Sequence, residues 1–363
     1  MLKNRAIPWR GVLLIMNSMK AMRLHVTALA ERGPLRGDRL PIPRPGPGQV
    51  RIKVALCGVC RTDLHTVEGE IHPPALPIIP GHQVVGVVDK IGASAGPAGQ
   101  ERGAPALKVG QRVGVPWLHS ACGECEFCRR GEENLCPKAR FTGFHVDGGY
   151  AQYMLAEARY VLPLPDSLSD EQAAPLLCAG IVGYRALRKA DIQPGEHVGL
   201  FGFGGSAHIC IQVLRYWGCP VSVFTRELSH QDHARALGAV WAGTAGQHPE
   251  RPLDRAVIFA PAGGLAVRAL DLTRPGGTVA INAIHMSDIP RFSYESIYGE
   301  RTLRSVANAT YRDGEEFLAL AVEVGIRPTV NLYPLAEANQ ALQDLKASRF
   351  NGEAVLRIAA GAA

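Results

Sequence analysis

Apolar and polar side chains alternate along four segments in the first third of the chain. Alternation with period two places every second side chain on one face, which is typical of half-buried β-strands. The four predicted strands are Met22 to Val26, Val50 to Val54, Val84 to Ile91 and residues 111–115. Prolines at 41, 43, 45 and 47 predict a stiff loop between the first two strands, and the Gly/Ala/Pro-rich residues 92–107 predict a surface insertion.

The period changes from residue 170 onward. Residues 170–189 have helical spacing, and short apolar strands then alternate with helices. The predicted strands are 197–201, 221–224, 256–260, 278–283 and 354–358, and the predicted helices are 205–217, 231–237, 313–325 and 335–348. This alternation predicts a parallel, doubly wound sheet, so the chain is expected to be α/β with a β-rich first unit. We expect the last strand to return to that first unit.

Length, charge and cysteine usage narrow the class of protein. A chain of 363 residues is long for one core and predicts two domains. The net charge is +6, but Lys and Arg are scattered among Asp and Glu, which argues against a nucleic-acid-binding protein. No apolar run is long enough to span a membrane. Nine cysteines, an odd number, indicate metal binding in a reducing compartment, and we expect a cytoplasmic protein.

Four of the cysteines are concentrated in 15 residues with the spacing C-x2-C-x2-C-x7-C. Such short gaps let thiolates converge on one tetrahedral ion, and four thiolates leave no open position, so the pattern predicts a structural zinc site. A redox dithiol suits four equivalent thiols poorly. The predicted ligands are Cys122, Cys125, Cys128 and Cys136.

Three further motifs follow one another along the chain. They are Cys57-Gly-Val-Cys60-Arg-Thr-Asp-Leu-His65, Pro80-Gly-His82-Gln83 and Leu176-Leu-Cys178-Ala-Gly180. Each is weak alone, because a lone cysteine is usually a core residue and a lone histidine is usually solvated or hydrogen-bonded. Together, and in this order, they resemble the medium-chain, zinc-dependent alcohol dehydrogenase family from about Met22 to the end. The likeness is greatest to the bacterial branch related to cinnamyl alcohol dehydrogenases.

The resemblance implies that Cys60, His82 and Cys178 bind a catalytic zinc. Two thiolates and one imidazole leave a fourth position for water or substrate. Cys57 is the rival ligand because it forms a CxxC pair with Cys60, and the Arg-Thr-Asp segment after Cys60 favours Cys60. Zinc would act as a Lewis acid that polarises a carbonyl or lowers the pKa of an alcohol.

The resemblance also implies a proton route and a supporting shell. The alcohol proton would pass through the Thr62 hydroxyl and the nicotinamide ribose to His65 near the surface. Asp63 would orient His82. Gln83 departs from the family, which usually has Glu after the zinc-binding histidine. We interpret the missing charge as making the zinc more electrophilic but slower to exchange water for substrate.

A glycine-rich loop follows the strand that ends at Phe201 and opens a helix. Its pattern fits G-x-G-x-x-G/A, which allows close approach of a pyrophosphate to a helix N-terminus. The predicted cofactor-binding residues of the loop are Gly202, Gly204, Gly205, Ser206 and Ala207. The next strand ends in Thr225 and Arg226 rather than Asp or Glu, which favours NADP over NAD, although Glu227 could still serve NAD.

The remaining expectations concern substrate, assembly and domains. Trp117, Leu118 and Met286 are expected to line an apolar pocket for a small primary alcohol or aldehyde. The alternatives are a polyol or secondary-alcohol dehydrogenase on the same scaffold, or a non-catalytic dinucleotide-binding protein. The family forms homodimers and homotetramers, and its zinc content implies two ions per subunit. The expected organisation is an extension at 1–21, a GroES-like catalytic domain at 22–179 and 307–363, and a Rossmann domain at 180–306.

Overall fold

The computed structural model describes residues 18–93 and 107–358. Most of the predicted surface insertion at 92–107 lies outside the described residues, as do the first 17 residues of the predicted extension. Within the described ranges no helix has the length and apolar character needed to cross a membrane.

Seventeen strands form four sheets within the described ranges. The first nine are β1 (Ser18–Leu24), β2 (Leu35–Pro41), β3 (Gln49–Val59), β4 (Gln83–Ile91), β5 (Arg112–Val115), β6 (Leu118–Ser120), β7 (Arg140–Phe141), β8 (Tyr153–Glu157) and β9 (Leu162–Pro163). The others are β10 (Val198–Phe201), β11 (Val221–Phe224), β12 (Trp241–Gly243), β13 (Leu253–Ile258), β14 (Thr273–Ile281), β15 (Thr302–Ser305), β16 (Val330–Pro334) and β17 (Glu353–Arg357).

The α-helices of the described ranges lie mostly in the second half of the chain. They are α1 (Arg61–Glu68), α2 (Glu126–Arg129), α3 (Asp170–Pro175), α4 (Ile181–Lys189), α5 (Gly205–Tyr216), α6 (Leu228–Ala236), α7 (Gly264–Leu272), α8 (Tyr311–Val324) and α9 (Ala338–Lys346). A π-helical turn, Leu176–Gly180, joins α3 to α4 without a break. The predicted helix over 170–189 is therefore confirmed, with one wider turn in its middle.

A six-stranded parallel sheet forms the centre of the Rossmann unit. Its order is β12-β11-β10-β13-β14-β15, and every neighbouring pair is parallel. Strand β10 is fully buried and apolar, as expected for a strand covered on both faces by helices. The predicted doubly wound sheet is confirmed.

A seven-stranded sheet forms the centre of the other unit. Its main path is β16-β17-β3-β4-β5-β9, and β8 also pairs with β3. Strand β17 pairs antiparallel with β3 through Ala354 opposite Val59 and Leu356 opposite Cys57. The expected return of the C-terminal strand to the first unit is confirmed, whereas the domain boundaries given above stay predictions.

Two expectations about the N-terminal region are corrected. Strand β1 begins at Ser18, and Met19 and Ala21 have buried side chains in the core, so residues 18–21 are not an extension outside the fold. The segment between the first two predicted strands, where the prolines predict a stiff loop, also contains β2, which pairs along its whole length with β1. Its side chains alternate between half-buried and exposed because this two-stranded sheet lies at the surface.

Candidate active site and metal centres

The end of β3 and the start of α1 carry the first residues of the site. Cys60 is the N-cap of α1, with extended backbone, and its N–H donates to Asp63 Oδ2 at 2.9 Å. The same carboxylate accepts from the N–H of Gly81 at 3.0 Å through Oδ1. Asp63, only 2% exposed, therefore joins the helix start to the loop that carries His82.

Three side chains from separate elements converge beside that carboxylate. The Sγ atoms of Cys60 and Cys178 are 4.0 Å apart, and one ligand atom from each of Cys60, His82 and Cys178 lies within 4.8 Å of the others. Cys178 comes from the π-helical turn, and its side chain is buried. Cys57 belongs to neither group of convergent ligands, because its buried sulfur faces Gly81 and Gly149 instead.

Neighbouring groups shift the pKa of each of the three ligands. The hydrogen bond from Cys178 holds the pKa of Cys60 well below its usual value, and the same contact, followed by burial, raises the pKa of Cys178. Burial opposes protonation of His82, but Asp63, 3.2 Å from its Nδ1, and Cys60 outweigh it and raise the pKa of His82 to about 10. The buried set of two sulfurs and one imidazole, with Nε2 of His82 lacking a hydrogen-bond partner, fits a metal ion.

The four remaining cysteines of the sequence pattern form a second group. Their sulfur atoms lie within 4.8 Å of one another, with Cys122 and Cys136 only 3.5 Å apart. Backbone N–H groups donate to three of the sulfurs, at 3.4–3.5 Å, from Cys122, Cys125, Cys128 and Lys138. These donors favour thiolates: N–H groups of Glu124 and Cys125 lower the pKa of Cys122 to about 6, whereas burial raises the pKa of Cys128 to about 12.

The predicted proton-relay residues lie on α1. The Oγ1 of Thr62 is 3.7 Å from the sulfur of Cys60, which places this hydroxyl next to the metal ligands. His65 is one turn further along the helix and is 5% exposed. It hydrogen-bonds through Nδ1 to Glu70, a residue that the sequence patterns did not single out, and its ring lies 5.4 Å from that of His285.

Gln83 lies at the start of β4, directly opposite Gly58, and is fully buried. With its NH2 group turned toward α3, the amide donates to Pro175 O at 3.2 Å and Ala174 O at 3.3 Å. Both carbonyls immediately precede the π-helical turn. Gln83 therefore ties β4 to the turn that carries Cys178, which an ionised glutamate could not do because it has no donor.

The glycine-rich loop makes a tight turn between β10 and α5. Gly202 has φ +92°, and a Cβ there would lie 2.9 Å from the backbone of Ala260. Gly204 is the N-cap of α5, and Ala207 is fully buried. Gly205 leaves space for the buried carboxylate of Glu353, which a side chain at 205 would overlap.

Strand β11 ends next to this loop. The N–H of Gly202 donates to Phe224 O at 2.8 Å, so the residues after Phe224 lie beside the first glycine. Thr225 is 9% exposed and its N–H donates to Gly243 O, whereas Arg226 and Glu227 are exposed.

A small cavity next to Cys178 is lined mainly by apolar side chains. Trp117 and Leu118 line it, together with Tyr160, Tyr311 and other residues that the sequence patterns did not single out. Met286 is not among its lining residues and packs against the core around Phe201 instead. Trp117 packs edge-on against His82 at 4.7 Å, and its Nε1 donates to Asn308 Oδ1 at 3.0 Å, a contact between distant segments that no local pattern could show.

An open two-thiolate, one-imidazole site on a β-rich unit, next to a Rossmann sheet with a glycine-rich loop, is typical of metal-dependent dehydrogenases. Known proteins identify the family. The alcohol dehydrogenase GroES-like domain matches residues 46–166. A probable alcohol dehydrogenase of Mycobacterium tuberculosis is 43% identical over 94% of this chain and 98% of its own length.

Further relatives agree with that match. An alcohol dehydrogenase of Geobacillus stearothermophilus is 35% identical over 86% of this chain and 92% of its own length. A solved cinnamyl alcohol dehydrogenase from Sorghum bicolor superposes with a TM-score of 0.82 at 26% identity, over 94% of this chain and 97% of that one. The chain belongs to the medium-chain, zinc-dependent alcohol dehydrogenase family. It is an NAD(P)-dependent oxidoreductase of small alcohols and aldehydes, and the alternative functions considered above are not favoured.

Proposed function

We propose that Cys60, His82 and Cys178 hold the catalytic zinc and that the four-cysteine group holds a second, structural zinc, giving two ions per subunit. The observation that carries this proposal is the convergence of two separate ligand sets within 4.8 Å. The four-cysteine group supplies four sulfurs and is closed, whereas the other supplies three ligands and leaves a position for substrate. Elemental analysis of the purified protein tests the count, and a single zinc per chain would contradict it.

Zinc at the three-ligand centre supplies Lewis acidity, which polarises the aldehyde carbonyl and acidifies the alcohol. The chain itself orients the ligands and moves the proton. Asp63 fixes the His82 ring, while Gln83 holds the turn that carries Cys178. The Thr62 hydroxyl can donate and accept at once, so it passes the alcohol proton toward His65 on the same helix.

NADP is the cofactor that the end of β11 favours. A 2′-phosphate near Gly202 would meet the Thr225 hydroxyl and the exposed Arg226 guanidinium, and guanidinium–phosphate contacts are strong and bidentate. For Arg226→Ala we expect KM for NADPH to rise by roughly tenfold or more, since a charged hydrogen bond contributes about 1.5–3 kcal/mol, and KM for NADH to change little. Arg251→Ala, another exposed arginine, is the control. Equal effects on both cofactors would rule out NADP selectivity at Arg226.

The apolar cavity next to Cys178 fits an aliphatic or aromatic primary alcohol or aldehyde better than a sugar. Trp117, Leu118 and Leu177 are among its apolar lining residues, and an apolar wall favours an apolar substrate. With NADPH we expect reduction of benzaldehyde and its homologues to be the faster direction. Oxidation of NADPH with a panel of aldehydes and polyols, with and without chelator, tests both class and metal dependence.

The protein is proposed to act as a homodimer or homotetramer in the cytoplasm. Strand β15 is an edge of the Rossmann sheet, and Tyr294 and Tyr298 before it are 73% and 66% exposed, as expected for an interface. All nine cysteines are free, as in a reducing compartment. Light scattering in solution measures the assembly, and a monomeric mass would contradict it.

A further inference from the structure

A glycine ends α1 in a way that folds the chain back over its last turn. Gly69 has φ +79°, the left-handed conformation that commonly follows a helix end. The N–H groups of Glu70 and Ile71 then both donate to the carbonyl of His65, at 2.9 and 3.3 Å. A Cβ at 69 would also approach Thr27 to 3.2 Å. Glu70 is thereby fixed directly beside the His65 ring.

The side chains of His65 and Glu70 form a hydrogen-bonded pair at this turn. Nδ1 of His65 contacts Oε2 of Glu70 in a hydrogen bond. The imidazole is 7% exposed, whereas the carboxylate is 43% exposed. The hydrogen bond from His65 lowers the pKa of Glu70, so the carboxylate stays ionised. Glu70 therefore lies between a buried imidazole and solvent.

Two other charged or titratable groups act on this pair. His285, from the segment after β14, has its ring centroid 5.4 Å from that of His65, and Arg61 at the start of α1 contributes its charge to Glu70. The Asp63 carboxylate on the same helix is occupied with Cys60, Gly81 and His82. Glu70 is the partner that contacts the His65 ring nitrogen.

We propose that Glu70 is a positioning residue of the proton relay that orients His65 and balances its charge. By accepting a hydrogen bond from Nδ1–H, the carboxylate leaves Nε2 available to accept the relayed proton. For each alcohol oxidised, Nε2 takes one proton, the imidazolium is stabilised by ionised Glu70, and release of that proton to water restores the neutral Nδ1–H imidazole. Aldehyde reduction runs the same transfers in reverse. This inference rests on the relay through Thr62 and His65 proposed above.

The first test compares pH–rate profiles for alcohol oxidation. For Glu70→Gln we expect the rate at neutral pH to fall by about tenfold, a part of the 10²–10⁴-fold that a positioned acid–base group contributes. The shape of the pH profile should change as well, because a negative charge beside the His65 ring is removed. Glu70→Asp should restore part of the rate. Glu31→Gln, which removes an exposed carboxylate on Lys346, is the control and should leave the profile unchanged.

The second test does not depend on turnover. Nitrogen-detected NMR of the zinc-loaded protein, with His65→Asn used to assign the resonance, reports the tautomer of His65. Wild type should hold the proton on Nδ1, and Glu70→Gln should shift protonation toward Nε2. An unchanged tautomer and an unchanged pH profile in Glu70→Gln would overturn the inference. A His285→Asn variant that reproduces the whole effect expected of Glu70→Gln would overturn it too.

The two proposals can fail separately. If His65→Asn leaves the rate and pH dependence of oxidation intact, the relay itself is wrong. If His65→Asn changes them and Glu70→Gln does not, the relay stands and the role of Glu70 alone is overturned.

Discussion

The four-cysteine group takes all its ligands from one stretch of 15 residues, whereas the three-ligand centre joins Cys60 to a cysteine 118 positions away. The first group also supplies its own support, since backbone N–H groups of the same loop donate to its sulfurs. The second depends on Asp63, Gln83 and Trp117 from three different segments. The four-cysteine group needs only its own loop to form, whereas the three-ligand centre can form only when the distant segments that carry its ligands have packed together.

This contrast predicts opposite consequences of losing a ligand. Cys178→Ser and Cys60→Ser should reduce turnover at least about 10³-fold, because Lewis-acid catalysis contributes several kcal/mol and each 1.36 kcal/mol is tenfold. Zinc per chain should fall by one. Cys57→Ala is the matched control, since this neighbouring cysteine is buried away from both groups. Loss of zinc in Cys57→Ala but not in Cys60→Ser would reverse the assignment.

Loss of a four-cysteine ligand should instead reduce stability. The loop attaches to the segment before α8 through Asn134, which donates to Ala307 O, and to the start of α8 through Glu133, which accepts from the N–H of Tyr311. For Cys125→Ser we expect the free energy of unfolding to fall by about 2–4 kcal/mol, which is a fraction of the zinc-binding energy of small zinc modules. Calorimetry measures the loss, and turnover at low temperature should stay within a few-fold. Cys219→Ser is the control. Equal destabilisation of this variant would show that the loss of stability does not come from the loss of zinc.

A smaller effect should follow from replacing the tether of the three-ligand centre. Gln83→Glu places an ionised carboxylate against the carbonyls of Ala174 and Pro175, so we expect a loss of about 1–3 kcal/mol in the free energy of unfolding. The added charge should also change the pH profile of turnover. Gln83→Met removes the hydrogen-bond donor without adding a charge, so it separates the two effects. Urea unfolding and pH–rate curves check both, and a variant equal to wild type in each would refute the role given to Gln83.

The smallest effect concerns the pocket wall. Trp117→Phe keeps an aromatic ring stacked on Phe141, which lies 5.0 Å away, but removes the hydrogen bond to Asn308. The expected cost is about 0.5–1.5 kcal/mol, visible as a KM for aromatic aldehydes changed by less than about tenfold. Steady-state kinetics measure it. A collapse of kcat would mean that Trp117 acts on the metal ligands through His82 rather than as a wall.

The same contrast explains what the sequence could reveal. Spacing alone predicts the four-cysteine group, because ligands so close in the chain need little of the fold to meet. The ligands of the three-ligand centre could be predicted only from the resemblance to a family, because they are far apart in the sequence. Edge strands such as β15 and β16 were not predicted, because their side chains are half-buried or exposed and show no clear alternation. Helix α7 was missed as well, and the π-helical turn reads as ordinary helix.

The partners of the catalytic residues were the hardest to foresee. Glu70 meets His65 only because Gly69 adopts a left-handed conformation, and a glycine in the sequence does not reveal which way the chain turns. Asn308 meets Trp117 across 191 residues. Gln83 was recognised as a departure from the family, but its contact with the π-helical turn depends on packing between distant elements.

Strand β17 lies between β16 and β3, and β3 leads directly into Cys60. During synthesis on the ribosome, the pairing next to Cys60 can be completed only when residues 353–357 have emerged, after the whole Rossmann segment. A chain that stops before β17 would therefore leave residues 56–59 of β3, next to Cys60, without this pairing strand.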